Sequence, residues 1–424
     1  MNLQGSSVNT NESCPGRSCM TLLFLFLVGF LLPSSAFART LYQSADNAFS
    51  IRLSGYVKTL GLGINTSLPG TDDTAEDFTR ARLMLEGDIG AHVSWAVHYE
   101  HFALINPTRG TTTGLFAGQQ AADTGRFSLL PLDWTIQESG SLLWGHGFDR
   151  LYVRLAFATA DMVIGRQAIS WGVGRIWTPS DLFVAFSPVA IDREYKPGVD
   201  AISLKVPLGV FSQLEAVYAA LDDDFDQQDA AVRIQKTMGD FVLGFMGGKF
   251  FRDAVIGPFF DGEINGIGVR GEFTFTHNTG HPQHERRTFI RGVSSADYRF
   301  ANGLYALLEY YYNGFGEVDP EDYPRLFTSA RVARGEIYNF GRHYLGATLQ
   351  YELHPLVTTG LTGLWNLLDQ SFLIGPLLLV SLSNEADLRL GVYFPIGTGL
   401  VGSRVQSEFG LYPQVYYLQL RWYF

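Results

Sequence analysis

The 424-residue sequence is short of cysteine, of charge and of long apolar runs, and each shortage removes a class of protein. Its two cysteines, Cys14 and Cys19, lie near the N-terminus, so the remainder has no disulfide scaffold, thiol nucleophile or cysteine-ligated metal. Charged residues make up 17%, against about a quarter in ordinary soluble domains. With 46% hydrophobic residues, the chain is too apolar to be disordered. A net charge of −11 argues against a nucleic-acid binder held by phosphate contacts. Beyond residue 38 no stretch offers the ~20 clean apolar residues of a membrane-spanning helix. The nearest, Leu356 to Leu382, is interrupted by Asn366, Asp369, Gln370 and Pro376 and reads as a hairpin. What is plentiful is aromatic residues, at 14%, and glycine, at 46 positions, in a chain whose mean hydropathy is only +0.06.

Thr21 to Leu32 is nearly pure hydrocarbon and too short to cross a bilayer as a helix. It is followed by Pro33, Ser34, Ser35 and then Ala36-Phe37-Ala38, a small-x-small cleavage site. This predicts a signal peptide over 1–38, with an N-terminal membrane anchor as the alternative, and one β-barrel domain over 39–424. Both cysteines leave with the leader. Only about ten residues then precede the first strand, too few for an N-terminal plug domain.

The rest of the chain alternates with period two, the signal of strands. In Ile51 to Lys58 the polar residues fall on even numbers and the apolar ones on odd. Thr79 to Asp88, Arg150 to Phe157 and Arg342 to Glu352 repeat the pattern. Segments of about 10–13 residues match membrane-spanning strands better than the usual 5–6. Aromatics (Tyr99, Phe102, Tyr310, Tyr311, Tyr312, Tyr416, Tyr417, Trp422) sit at strand ends, as interfacial girdles would. Strands in lipid must close, because an open edge leaves backbone groups unpaired. The expected fold is therefore an all-β, transmembrane antiparallel barrel. Strands read near 49–60, 78–89, 91–104, 149–160, 161–170, 199–208, 209–221, 229–238, 240–251, 254–264, 265–276, 287–300, 303–313, 341–353, 355–367, 370–382, 386–397 and 413–424. That makes 18, with 16 the main competitor, and it sets short turns at one end and long loops at the other.

The chain ends with Leu418, Leu420, Trp422 and Phe424 on one face. This resembles the terminal strand of Gram-negative outer-membrane β-barrels. The resemblance implies an outer-membrane location, contact with membrane lipid, and recognition of Phe424 by the barrel-assembly machinery.

If apolar residues face lipid, their alternates line the lumen. Fifteen cations fall on that inward face, among them Arg52, Arg80, Arg82, Arg150, Arg154, Arg270, Arg291, Arg342 and Arg389, against nine acids. The loops hold acidic runs such as Asp222, Asp223, Asp224 and Asp226. A basic wall favours anions; inward Arg and Glu that pair across strands would only hold the barrel's shape. Residues 105–148 are long enough to fold into the lumen and narrow it, as plug or constriction loops do. The second notable loop runs from Gly165 to Asp200. Arg166, Trp171, Arg175, Trp177 and Asp181 there suit contact with a sugar or anion, through aromatic stacking and bidentate Arg; the alternative is a loop that stiffens the barrel mouth. Its G-R-Q-x-x-S-W-G segment resembles alginate-export-type and related barrels, and that resemblance implies an acidic-polysaccharide substrate.

The expected function is a passive channel, for diffusion or export of a small hydrophilic solute, anionic or acidic-sugar in character. Neither enzyme activity, cofactor, metal nor nucleic acid is expected; a homo-oligomer is open. Two other readings stand beside it. One is a sheath around a periplasmic partner such as an electron-transfer cytochrome. The other is a hydrolase, for which His92-Val93-Ser94 sits at the wrong end. His277, His281 and His284 lack a carboxylate pattern for metal.

Overall fold

The computed structural model describes residues 39–66, 70–106, 128–220, 228–280 and 286–424. The leader proposed for 1–38 lies outside them, as do His281 and His284, Asp222, Asp223, Asp224 and Asp226, and the tip of the 105–148 loop.

Eighteen strands form one closed antiparallel ring. They are β1 Phe49–Asn65, β2 Thr74–Ile89, β3 Val93–Ile105, β4 Leu142–Ala156, β5 Asp161–Gln167 and β6 Val199–Gly209. There follow β7 Ser212–Ala219, β8 Asp229–Met238, β9 Phe241–Phe250, β10 Asp253–Ile264, β11 Ile267–Asn278 and β12 Thr288–Arg299. The last six are β13 Tyr305–Asn313, β14 His343–His354, β15 Val357–Asn366, β16 Phe372–Ser381, β17 Ala386–Ile396 and β18 Gln414–Tyr423. Each strand pairs with the next, and β18 returns to β1 in a register that sets Trp422 opposite Val57 and Leu418 opposite Gly61. The ring matches the alternation strand for strand.

Side-chain facing follows the pleat. Along β1, Tyr56, Lys58, Leu60, Leu62 and Ile64 are buried on the inner face. Outward residues such as Leu83, Ile202, Phe245, Phe273, Leu308 and Leu418 stay exposed, as lipid contact requires. One end carries tight turns; at Asn265-Gly266 both residues have positive φ (52° and 83°), the geometry of a two-residue hairpin. The other end carries the long loops, with two short connections among them, 367–371 between β15 and β16 and the one between β9 and β10. β9 and β10 are joined there by Phe251 and Arg252 alone, under loop 314–342, whose Arg331 and Arg334 both reach Asp253.

Three expectations need correction. Within the 105–148 stretch expected to fold inward as a plug or constriction, Asp133–Ser139 instead form a strand that pairs with the long-loop half of β4, while 107–127 lie outside the described residues. β4 also begins at Leu142, seven residues before the alternation suggests. Among the girdle aromatics, Tyr311 and Tyr417 point inward and are buried, as part of the packing described next.

Candidate functional site

The feature that could control function is the stretch between β5 and β6. Its departure from the wall is built in: Gly165 has φ of 120°, and a Cβ there would lie 2.2 Å from Leu151 O. Gln167 then closes the strand end, donating to Ala201 O (3.0 Å) and accepting from Ser203 Oγ (2.6 Å). Residues 168–198 cross the lumen, because they bond to inward side chains on opposite sides of the ring. We call them the lumen segment.

Two apolar clusters hold it. Trp171 meets Phe183 edge-on (5.2 Å), and with Ile169 and Val184 they pack on Val199, Ala201, Val217 and Met246 of β6–β9. On the other side Trp177 stacks on Tyr311 (5.3 Å, 16°), and Ile176, Val189 and Ile191 join Leu60, Leu62, Tyr344 and Val415. Trp171 is 1% exposed and Trp177 4%, so both indoles act as anchors, each worth about 1.5–3 kcal/mol of burial.

Two wall carboxylates do the polar work. Glu309 on β13 accepts the main-chain N–H of Arg175 (2.8 Å), Ile176 (2.9 Å) and Trp177 (2.8 Å). Glu272 on β11 accepts Val173 N–H (2.6 Å), Ser180 N–H (3.3 Å) and Ser180 Oγ–H (2.7 Å). The tight turn at 174–177 needs glycine, since a Cβ at Gly174 would fall 1.9 Å from Trp177 O. Arg291 donates to Pro179 O (3.2 Å) and Arg389 to Ile191 O. Within the segment Lys196 bridges Asp181 and Ile169 O; burial pushes the Asp181 carboxyl up and the Lys196 ammonium down. The two glutamates belong to the period-two pattern as inward acids, but nothing in the pattern marks them as anchors, because their partners are backbone amides.

The predicted lumen cations are mostly matched. Arg52 pairs with Asp88 (2.8 Å) and Arg154 with Asp161 (2.9 Å) near the turn end. Arg80 and Arg82 share Glu100 (3.4 and 2.5 Å), and Arg150 pairs with Asp149 (2.6 Å). Arg270 lies between Asp261 and Asp297, Arg291 meets Glu336 (3.1 Å), and Arg342 donates to Gly316 O. Arg166 is not in the lumen. It lies opposite the outward Leu151, pairs with Asp200 (2.8 Å), and is roofed by Leu130 and Asp133. Arg175, by contrast, is exposed on the segment and has no ion-pair partner among the described residues. Toward the turn end a cavity of about 440 Å³ is lined by Asp261, Glu263, Arg270, Asp297, Arg299 and Tyr305, among others.

No family model and no curated protein matches the sequence. Among solved structures the chain is similar to Acinetobacter baumannii OccAB4, with a TM-score of 0.54 and 9% identity over 88% of this chain and 98% of that one. It is also similar to Acinetobacter baumannii OccAB3, with a TM-score of 0.53 and 10% identity over 88% and 99%. A closed 18-strand ring with an apolar exterior and most of its strands' charged side chains turned inward decides the class. The chain has the β-barrel fold of the outer-membrane porins. In that fold short turns face the periplasm and long loops the exterior.

The outer loops of this porin-fold barrel carry their own buried acid. Glu408 accepts from Asn339 Nδ2 (2.9 Å), Asn366 Nδ2 (3.0 Å), Gly341 N–H (3.3 Å) and Tyr344 OH, tying loop 397–413 to loop 314–342 and to β14 and β15. Asp369 lies beside it, accepting Glu408 N–H (2.8 Å). Burial pushes the Glu408 carboxyl up to about 7. An acid whose folded value is raised holds its proton more tightly when folded, so its contribution is present below the ordinary carboxylate range and lost as pH rises through about 7. Amide exchange at Gly341 should accelerate between pH 6 and 8, roughly, beyond its intrinsic rise, and Glu408→Gln should remove that extra step.

At the turn end His92 Nδ1 lies 3.1 Å from Ala156 O, a main-chain partner rather than the Ser94 hydroxyl.

Proposed function

We propose that this barrel is an outer-membrane channel for passive diffusion or export of small hydrophilic solutes, with anions or acidic sugars preferred. The observation that carries it is the lumen segment: a polar-lined barrel crossed by one anchored stretch has a size filter at its waist. Arg175 supports the anionic preference, since its charge is exposed on that stretch with no ion-pair partner among the described residues. Arg389 adds to it, bonding a main-chain carbonyl and forming no ion pair among the described residues. A solute carboxylate would exchange part of its hydration for Arg donors, and transport would run down its gradient. Phe424 is proposed as the assembly signal; its main chain pairs with Gly55 across the closing strands (2.8 and 2.9 Å).

Planar-bilayer recording of the purified protein tests the reading. Stepwise ion current with a reversal potential on the anion side is expected, and Arg175→Ala should lower the anion-to-cation permeability ratio by about two- to fivefold, on the order of one lost charge interaction. A barrel that inserts without current would overturn the channel and favour a sheath. A cation-selective reversal potential would overturn the anionic preference alone.

A further inference from the structure

Closing a barrel brings its first and last strands together, and here they meet with like charges. Arg421 of β18 lies directly opposite Lys58 of β1, and Lys58 directly opposite Arg80 of β2. Three cations thus stand in one row across the seam, an arrangement that weakens strand pairing. Arg82 and Arg150 extend the patch. The wall supplies three acids to these five cations: Glu100 for Arg80 and Arg82, Asp149 for Arg82 and Arg150, and Asp387 for Arg421 (3.1 Å). Lys58, with its side chain 4% exposed, finds no wall carboxylate among the described residues.

The two missing charges come from the lumen segment. Asp192 lies 3.3 Å from Lys58 Nζ and Glu194 2.6 Å from it. The same Glu194 oxygen accepts Tyr423 OH (2.8 Å) and lies 3.6 Å from Arg421. One carboxylate therefore binds β1 and β18 together. Its neighbours reinforce the hold: Tyr195 stacks on Tyr56 (5.1 Å), and Arg389 of β17 grips Ile191 O.

We infer that the lumen segment is a clasp for barrel closure, with Asp192 and Glu194 neutralising the cationic row so that β1 and β18 can pair. Docking and closure are then one event. The segment would be a fixture of the assembled barrel, at least over residues 189–196, and not a mobile gate. This holds whether or not the barrel conducts.

Heat-modifiable electrophoretic mobility and thermal unfolding of the full-length folded protein read the closure. Glu194→Gln, or Asp192→Asn with Glu194→Gln, should lower the transition by about 5 °C or more. A disulfide across the seam separates closure from simple loosening of the segment. Gly61 and Leu418 are directly opposite and outward, a Cβ at Gly61 meets nothing nearer than 4.0 Å, and the sequence has no cysteine after Cys19. The Gly61→Cys, Leu418→Cys pair should restore the transition of Glu194→Gln, and should leave unrepaired a Glu309→Ala chain, whose lost anchor is away from the seam. If Glu194→Gln does not assemble, adding Lys58→Met removes the charge at the centre of the row and should restore assembly. An unchanged transition in Glu194→Gln, failure of the seam disulfide to recover its loss, or failure of Lys58→Met to rescue assembly would each overturn the clasp.

Discussion

Glu309→Ala, and more so Glu309→Ala with Glu272→Ala, should raise single-channel conductance several-fold and make the current noisy. Glu309 is the common acceptor for three consecutive main-chain N–H groups of the lumen segment. With the carboxylate gone, those donors either remain buried without partners, at about 1–3 kcal/mol each, or leave for water. Leaving is the cheaper course, since the turn at Gly174 then detaches from β13 and the lumen lies beside it. Glu272 is the second anchor of the same turn, so its loss adds to the first without a compensating partner. The apolar clusters around Trp171 and Trp177 resist complete undocking, which is why an unsteady current is expected rather than a permanently open one. Glu309→Gln is the control. It keeps one acceptor oxygen and should fall between the wild type and alanine. Conductance equal to wild type in the double variant would show that the segment does not limit passage.

Arg331→Ala should cost about 3–5 kcal/mol, the largest single-residue loss of stability expected in the outer loops. Arg331 is 1% exposed; its guanidinium bonds both oxygens of Asp253 (2.6 Å each) and both of Glu336 (3.0 Å each). It also lies over the Phe289 ring, 4.8 Å from its centroid. Removing it leaves two buried carboxylates to share Arg334 and Arg291, and it removes the floor of loop 314–342 where that loop covers the short β9–β10 connection. Glu336, held down to about 2 by the guanidinium groups around it, should move back toward the ordinary carboxylate range. The loss should appear as a lowered thermal transition and as new protease cleavage between residues 314 and 342. Arg331→Lys should recover little, because an ammonium cannot serve two carboxylates in that planar geometry. Thermal behaviour unchanged in Arg331→Ala would place the loop's stability in its apolar contacts instead.

How much of this was legible beforehand differs from element to element. The barrel was legible because lipid outside and polar groups inside impose period two over every crossing, and because closure is compulsory in hydrocarbon. The 254–264 strand, which the parity of an even barrel required, is β10. Lumen-facing residues such as Arg52, Lys58, Glu272 and Glu309 could be placed by parity alone. Their partners could not. Glu309 looks like any other inward glutamate until its acceptors' donors are seen to be backbone amides from a segment 130 or so residues away in the chain. Trp171 and Trp177 carry the composition of a solute platform, and burial on opposite walls makes them anchors. Arg166 lies in a period-two run whose facing is clear only once β5 pairs with β4, and that pairing turns it outward.

The sequence by itself determined that the chain is a closed all-β barrel with a given face toward lipid, because those properties follow from local alternation and from a solvent with no hydrogen bonds to offer; the structure decided the strand count, 18 rather than 16. Which stretch enters the lumen, which charges survive pairing and how the seam is neutralised were decided only by the tertiary structure. Those depend on contacts between residues far apart in the chain, and charge in a buried lumen is set by the partner a side chain meets, not by its own identity.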